Sequence, residues 1–277
     1  MIHIQEVTFS YGDKKLAIFD KFSLLLEQNK VYGLLGENGT GKSTLLYLMM
    51  GLLRPSEGHI TVDGTDVSKR QHASLRQMYI VPEEFDLPAM RFSEYVDTYR
   101  PFYEDFSDEI LRRCMEEFRL PLDVQLNSLS MGDKKKALMS FALATNVRYL
   151  LMDEPTNGLD VPSKKQFRKV IATTMTEDRT LLIATHQLHD VDSLLDHVLI
   201  LQRSHLLLNA SVTEICEKYT FDVRPNDDMN ENVLYSERTP QGNATMVLRQ
   251  PEDEETPLNL ELLFNAIISH QTKLIHE

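Results

Sequence analysis

The sequence predicts an α/β fold: a parallel sheet flanked by helices, with an N-terminal antiparallel β-subdomain, a helical insert and a small α+β C-terminal extension. Three observations predict it. Short apolar runs at residues 31–35, 149–152, 180–184 and 198–201 alternate with stretches of helical periodicity, the pattern of a parallel sheet covered by helices. The run 31–35 passes at once through a Gly-rich turn into a stretch where Leu45, Leu46, Met49 and Leu52 recur at helical spacing, which reads as strand, loop, helix. No internal repeat is present, so the 277 residues hold one such unit with an appendage, not a tandem pair.

Taken in order, residues 2–9 and 22–26 are β-branched, aromatic or aliphatic and end in turn residues, Tyr11-Gly12-Asp13 and Gln28-Asn29-Lys30. They read as strands of a meander. The helix predicted over 42–53 is followed by a strand at 58–62 with a tight turn at Asp63 and Gly64, and by another strand at 78–81. Between about 84 and 146 amphipathic helical patterns at 92–99, 108–118 and 130–145 are separated by Pro88, Pro101 and Pro121, which marks the helical insert. Past Thr220 come three short strands, 221–224, 233–237 and 244–248, and a last amphipathic helix at about 258–274. The division is therefore 1–218 for the main α/β unit and 219–277 for the extension. The acidic stretch from Glu252 to Glu255 reads as a solvated loop.

With 42% hydrophobic and 26% charged residues the chain is expected to collapse into a full core. A formal net charge of -13 argues against a protein that coats nucleic acid, which needs surplus Lys and Arg on one face. Lys134, Lys135 and Lys136, and likewise Lys164, Lys165, Arg168 and Lys169, read as solvated helical faces. Cys114 and Cys216 fit neither a zinc spacing nor a disulfide framework and read as buried thiols. The first residues lack the pattern of a secretory signal, and the apolar run 45–53, broken by Tyr47 and Gly51, is far shorter than the roughly 20 residues of a bilayer span. A cytosolic chain is expected, and the acceptor-like triplets at Asn209 and Asn243 are chance matches.

Gly36, Glu37, Asn38, Gly39, Thr40, Gly41, Lys42, Ser43 and Thr44 fit G-x-x-x-x-G-K-[ST], placed after an apolar strand and before a helix. The glycines let backbone N–H groups wrap the phosphates of ATP, the helix N-terminus adds partial positive charge, Lys42 a full one, and Ser43 a hydroxyl for Mg²⁺. At 149–154 an apolar strand ends in Asp153 and Glu154. Adjacent carboxylates repel unless a cation or substrate sits between them, so Asp153 is suited to the Mg²⁺ shell and Glu154 to orienting and deprotonating an attacking water. An apolar run with two acids is weak alone and specific beside a phosphate loop.

With these motifs the chain resembles the nucleotide-binding ATPase subunit of ABC transporters, which have a P-loop NTPase core. Leu129-Ser130-Met131-Gly132-Asp133 is similar to the family's signature LSGGQ; Tyr11 matches the aromatic that stacks on adenine, Asp160 ends the loop that runs between two subunits, and His186 matches the switch histidine that reaches the γ-phosphate. The resemblance covers about residues 1–218. It implies that Ser130 and Gly132 bind the γ-phosphate held by another subunit, so that one site needs two chains. It also implies catalysis by Glu154, His186 and Lys42, and metal binding by Ser43, Asp153 and Glu83. The expected partners are a second copy of this or a related ATPase subunit and an integral membrane permease, with no nucleic acid. The expected location is the inner face of the cell membrane.

Three positions depart from the family pattern: Met131 for a glycine, Asp133 for a glutamine, and Glu83 for the glutamine that precedes the helical insert. Glu83 still offers oxygen to Mg²⁺, and Lys134 to Lys136 can offset Asp133. Hydrolysis is expected to survive. The single ATPase unit and the appended 219–277 region resemble the ATPase of a two-component exporter. The alternative, a soluble ABC-type ATPase acting on ribosomes or nucleic acid, usually brings two ATPase units or a long coiled-coil insertion. Neither is in this sequence, and a silent regulator would lack Glu154.

Overall fold

The computed structural model describes residues 1–12, 17–225 and 233–269. Along the chain, β1 (Ile2–Phe9), β2 (Phe19–Leu26) and β3 (Val31–Leu35) lead into α1 (Lys42–Met49), then β4 (Glu57–Val62), β5 (Thr65–Asp66), α2 (His72–Leu75) and β6 (Met78–Val81). The insert supplies α3 (Phe92–Tyr99), α4 (Asp108–Phe118) and α5 (Met131–Ala144). Then follow β7 (Tyr149–Asp153), α6 (Val161–Thr174), β8 (Thr180–Thr185), β9 (His197–Gln202), β10 (His205–Ser211) and α7 (Val212–Lys218). The extension is β11 (Tyr219–Arg224), β12 (Val233–Thr239), β13 (Gly242–Leu248) and α8 (Leu260–Ser269). Part of the last predicted helix, beyond residue 269, lies outside the described residues.

The central sheet runs β10-β9-β3-β8-β7-β6, parallel from β9 to β6 with β10 antiparallel at its edge. Strands β3, β7 and β8 are buried at every residue, which is why they read as unbroken apolar runs. Alternate residues still face opposite layers. Val31, Leu35, Leu181 and Ile183 join one cluster with Leu138 and Phe167 of α5 and α6. Tyr32, Leu34, Leu182 and Ala184 join another with Leu45 and Leu46 of α1 and with Ile2, Ile4 and Ile60 of the antiparallel sheet β2-β1-β4-β5.

The helix predicted to reach residue 53 stops at Met49, because Gly51 turns the chain at φ 63° and a side chain there would meet the Val67 carbonyl at 2.5 Å. Edge strand β10 and the short α2 were not distinguished in the sequence, the former because its residues are only half-buried. The sheet β11-β13-β12 and α8 do not enclose a core of their own: Phe221, Met246, Leu260 and Leu263 belong to the apolar cluster that holds α6. Both cysteines are buried and free, and no helix of the described residues is long and apolar enough to cross a membrane.

The insert is organised around Phe141 of α5, whose ring lies 5.1 Å from Tyr95, 5.7 Å from Phe106 and 5.9 Å from Tyr79 of β6. One side chain thus ties the insert to the central sheet. Phe141→Ala is expected to lower stability by about 3–5 kcal/mol, read as a lowered urea midpoint; a loss below roughly 1 kcal/mol would contradict this packing role.

Candidate functional site

At the end of β3 the chain needs a path no side chain permits. A Cβ at Gly36 would stand 2.5 Å from the Leu201 carbonyl and 2.8 Å from Thr40 Oγ1, and Gly41, the N-cap of α1, sits at φ 101°. Only glycine accepts both conditions. The resulting loop folds back on Lys42, which donates to the carbonyls of Gly36 (2.7 Å) and Glu37 (3.0 Å), while Thr40 Oγ1 donates to Glu37 O at 2.9 Å. Burial lowers the Lys42 ammonium from its ordinary pKa, and Glu154, with Oε1 3.9 Å away, works against that shift. The loop thus holds its lysine with its own backbone oxygens.

β7 delivers two acids side by side. Both oxygens of Asp153 are buried without a regular hydrogen-bond partner, and burial raises its pKa to about 6, with the Ser43 hydroxyl pulling the other way. An orphaned, buried carboxylate beside a hydroxyl fits a hard cation that brings its remaining oxygen ligands with it. Glu154 is 4% exposed and adopts φ 44°, a left-handed conformation rarely taken by such a residue. Its Oε1 accepts from the His186 N–H (3.0 Å) and lies 2.7 Å from His186 Nδ1, and its Oε2 accepts from Thr185 Oγ1 at 2.8 Å. The end of β8 therefore aims the carboxylate that β7 supplies.

Residues 154–157 form a tight turn, closed by Asn157 N to Glu154 O at 3.2 Å, and Asn157 Nδ2 donates to Glu83 Oε1 at 2.9 Å. The carbonyls of Glu154 and Asn157 each accept from Lys135 Nζ at 3.0 Å. The solvated face expected for the lysine triplet is thus corrected at its middle member, which is 5% exposed. Lys135, Leu138, Met139 and Ala142 share the buried stripe of α5 at helical spacing, and that spacing was the available signal. Lys164, also expected to be solvated, instead pairs with Asp190 Oδ2 at 2.8 Å and donates to Gln187 Oε1 at 2.6 Å, pinning the segment after His186.

An open cavity of about 530 Å³ gathers Tyr11, Asn38, Gly39, Gly41, Lys42, Ser43, Thr44, Glu83, Glu154 and His186. Ile18, Asn157 and, behind the lining, Thr185 are parts of it that the sequence did not single out. Tyr11 is 43% exposed at this cavity, its ring edge-on to Phe9 at 5.0 Å and its hydroxyl 3.2 Å from Thr44 Oγ1. A cavity of about 610 Å³ near Arg76, Glu104 and Asp178 holds none of these groups.

Ser130, Gly132 and Asp160 do not line the cavity. Ser130 is exposed at the N-cap of α5, accepting from Asp133 N at 3.2 Å and donating its hydroxyl to Asp133 Oδ2 at 2.8 Å, while Lys136 pairs with Asp133 Oδ1 at 3.1 Å. Gly132 lies against Gly158 and Leu159. Asp160 caps α6, and the Ser163 hydroxyl, together with the hydrogen bond from Ser163 N (2.9 Å), lowers its carboxyl pKa.

The ABC transporter family profile matches residues 19–157. The manganese transport system ATP-binding protein MntA of Synechocystis is 32% identical over 220 residues, 74% of this chain and 82% of that protein. The Nod factor export ATP-binding protein I of Rhizobium meliloti is 29% identical over 211 residues, 74% of this chain and 62% of that protein. A dimeric ATP-binding cassette in a post-hydrolysis state bound to ADP and Pi aligns with a TM-score of 0.65 at 21% identity, over 76% of this chain and 98% of that one. Its likeness is one of fold. A phosphate loop closed on Lys42, an acid pair at the end of β7 and a profile covering half the chain lead to one conclusion: the protein belongs to the ABC transporter family, as an ATP-binding subunit that hydrolyses ATP.

Proposed function

We propose that two copies of this chain, or this chain and a related ATPase subunit, close face to face around Mg²⁺ and ATP to power a separate membrane permease. One observation carries this reading. Lys42, Glu154 and His186 share a cavity within one chain, whereas the exposed Ser130 and the half-buried Gly132 stand outside it. The groups for cleavage are local and the lid is not, so a second subunit supplies Ser130 Oγ and the N–H groups of the α5 N-terminus to the γ-phosphate.

Within the closed site Lys42 and the N–H groups of residues 39–44 neutralise the phosphates, and Tyr11 stacks on the adenine. Ser43 and Asp153, with Glu83 nearby, would hold Mg²⁺, which would supply positive charge to offset that of the phosphates. Glu154 orients and deprotonates the attacking water. His186 Nδ1 lies at Glu154 Oε1, and the imidazole exchanges that oxygen for a γ-phosphate oxygen as the water arrives. Positioning and charge carry the rate.

The permease places the subunit on the inner face of the cell membrane. Export is favoured by the resemblance to two-component exporters and by relatives whose names specify export. The extension 219–277 fits a regulatory or dimer-supporting module: α8 packs beside residues 188–190, just past His186, and Glu261 bridges to His189 at 2.7 Å.

Glu154→Gln is expected to lower steady-state turnover by about 100-fold or more while ATP still drives dimerisation, followed by phosphate release and light scattering. Turnover per chain that stays constant on dilution of a strictly monomeric preparation would overturn the two-chain site. Asp153 makes a further prediction. Its pKa in the fold, about 6, exceeds the unfolded value, so the charged form opposes folding above pH 6 and the penalty fades as pH falls toward 4. Nucleotide-free Asp153→Asn should therefore be more stable than wild type at pH 8, by about 2–3 kcal/mol, with the gap closing between pH 6 and 4. A gap in urea midpoints independent of pH would contradict it.

A further inference from the structure

A lysine side chain in a core needs a reason, because burial penalises its charge. Lys135 reaches from the first turn of α5 with its ammonium enclosed, and none of the ion pairs among the described residues includes it. Its hydrogen bonds go to two carbonyls, Glu154 O and Asn157 O, each at 3.0 Å. These are the two ends of one tight turn. Glu154 occupies a left-handed conformation at φ 44°, which only surrounding contacts can maintain. Ala184 O holds the Glu154 N–H at 2.8 Å on one side. Lys135 holds the carbonyl on the other. Asn157, gripped by its own carbonyl, in turn donates its side chain to Glu83.

We propose that Lys135 is a positioning residue for ATP cleavage: its ammonium fixes the backbone of residues 154–157, and thereby keeps the Glu154 carboxylate and Glu83 in place at the γ-phosphate. The inference rests on reading Glu154 as the base. Lys135 does not line the cavity that holds Lys42, Glu154 and His186. Its contribution is geometric, with a second electrostatic part, since Glu83, Glu154 and Asp153 all favour its charged form against the cost of burial. The same side chain joins the helix that begins at Ser130 to the turn that carries the base.

The test compares steady-state ATPase of Lys135→Met, which keeps the aliphatic stem and removes the donor, with Lys135→Gln, whose shorter amide retains one. Affinity for a fluorescent ATP analogue and thermal melting are measured alongside. Lys135→Met should lower kcat about tenfold or more with KM and analogue affinity within about twofold of wild type, and Lys135→Gln should recover part of it, to about threefold below wild type. Folded Lys135→Met with wild-type kcat, or with its loss expressed in KM, overturns the proposal. Should Lys135→Met fail to fold, Lys135→Gln at the wild-type kcat overturns it equally. In a Glu154→Gln background, single-turnover cleavage should show no further loss from Lys135→Met, and a full additional tenfold loss would refute action through Glu154. Glu154→Gln cleaving at the wild-type rate would remove the base assignment itself, whereas an inactive Glu154→Gln beside a fully active Lys135→Met would remove only the role of Lys135.

Discussion

The site is governed by the crowding of like charges at the C-terminal edge of a dry sheet. Asp153 and Glu154 are almost fully buried, with Glu83 bonded to the turn beside them. Carboxylates so placed repel one another and lose hydration. The chain answers with Lys42 on one side and Lys135 on the other, and with three donors at the Glu154 carboxylate. Asp153 completes no regular hydrogen bond, and burial, with Glu83 and Glu154 beside it, raises its pKa against the pull of Ser43 and Lys42. An acid that is ill at ease without a cation is one prepared to take it.

That arrangement follows from topology. Parallel strands β3, β7 and β8 end together, so the phosphate loop after β3, the acids ending β7 and the His186 segment after β8 meet without any long-range folding device. Full burial of these strands fixes their register, because each side chain has a layer to enter. The extension adds to this frame instead of standing apart, since its residues complete the apolar layer over α6.

Much of this was legible in the residues. Unbroken apolar runs announced the buried strands, and the Gly-rich turn announced its loop, because glycines there answer to backbone geometry that no other residue satisfies. Helix caps at Ser130 and Asp160 are readable for the same local reason. Local chemistry fails where a polar residue serves a distant carbonyl. Lys135 and Lys164 look like members of charged runs, and their burial depends on what α5 and α6 pack against. Asn157 is equally opaque, since its partner Glu83 is far away in sequence. Helix ends were misjudged where a tertiary contact intervened, as at Gly51.

The departures at the signature segment acquire meaning from the same electrostatics. Asp133 holds the Ser130 hydroxyl proton, while Lys136 neutralises the other carboxylate oxygen. In the proposed sandwich the Ser130 hydroxyl would have to leave an anion it already satisfies before donating to a partner's γ-phosphate, and that phosphate would then approach a carboxylate shielded by a single lysine. Exposure makes the exchange inexpensive, because water screens the charges until the subunits close. Closure removes that water. Under the proposed two-chain site the cost of Asp133 therefore falls on assembly and not on cleavage, whose groups lie in the cavity of a single chain.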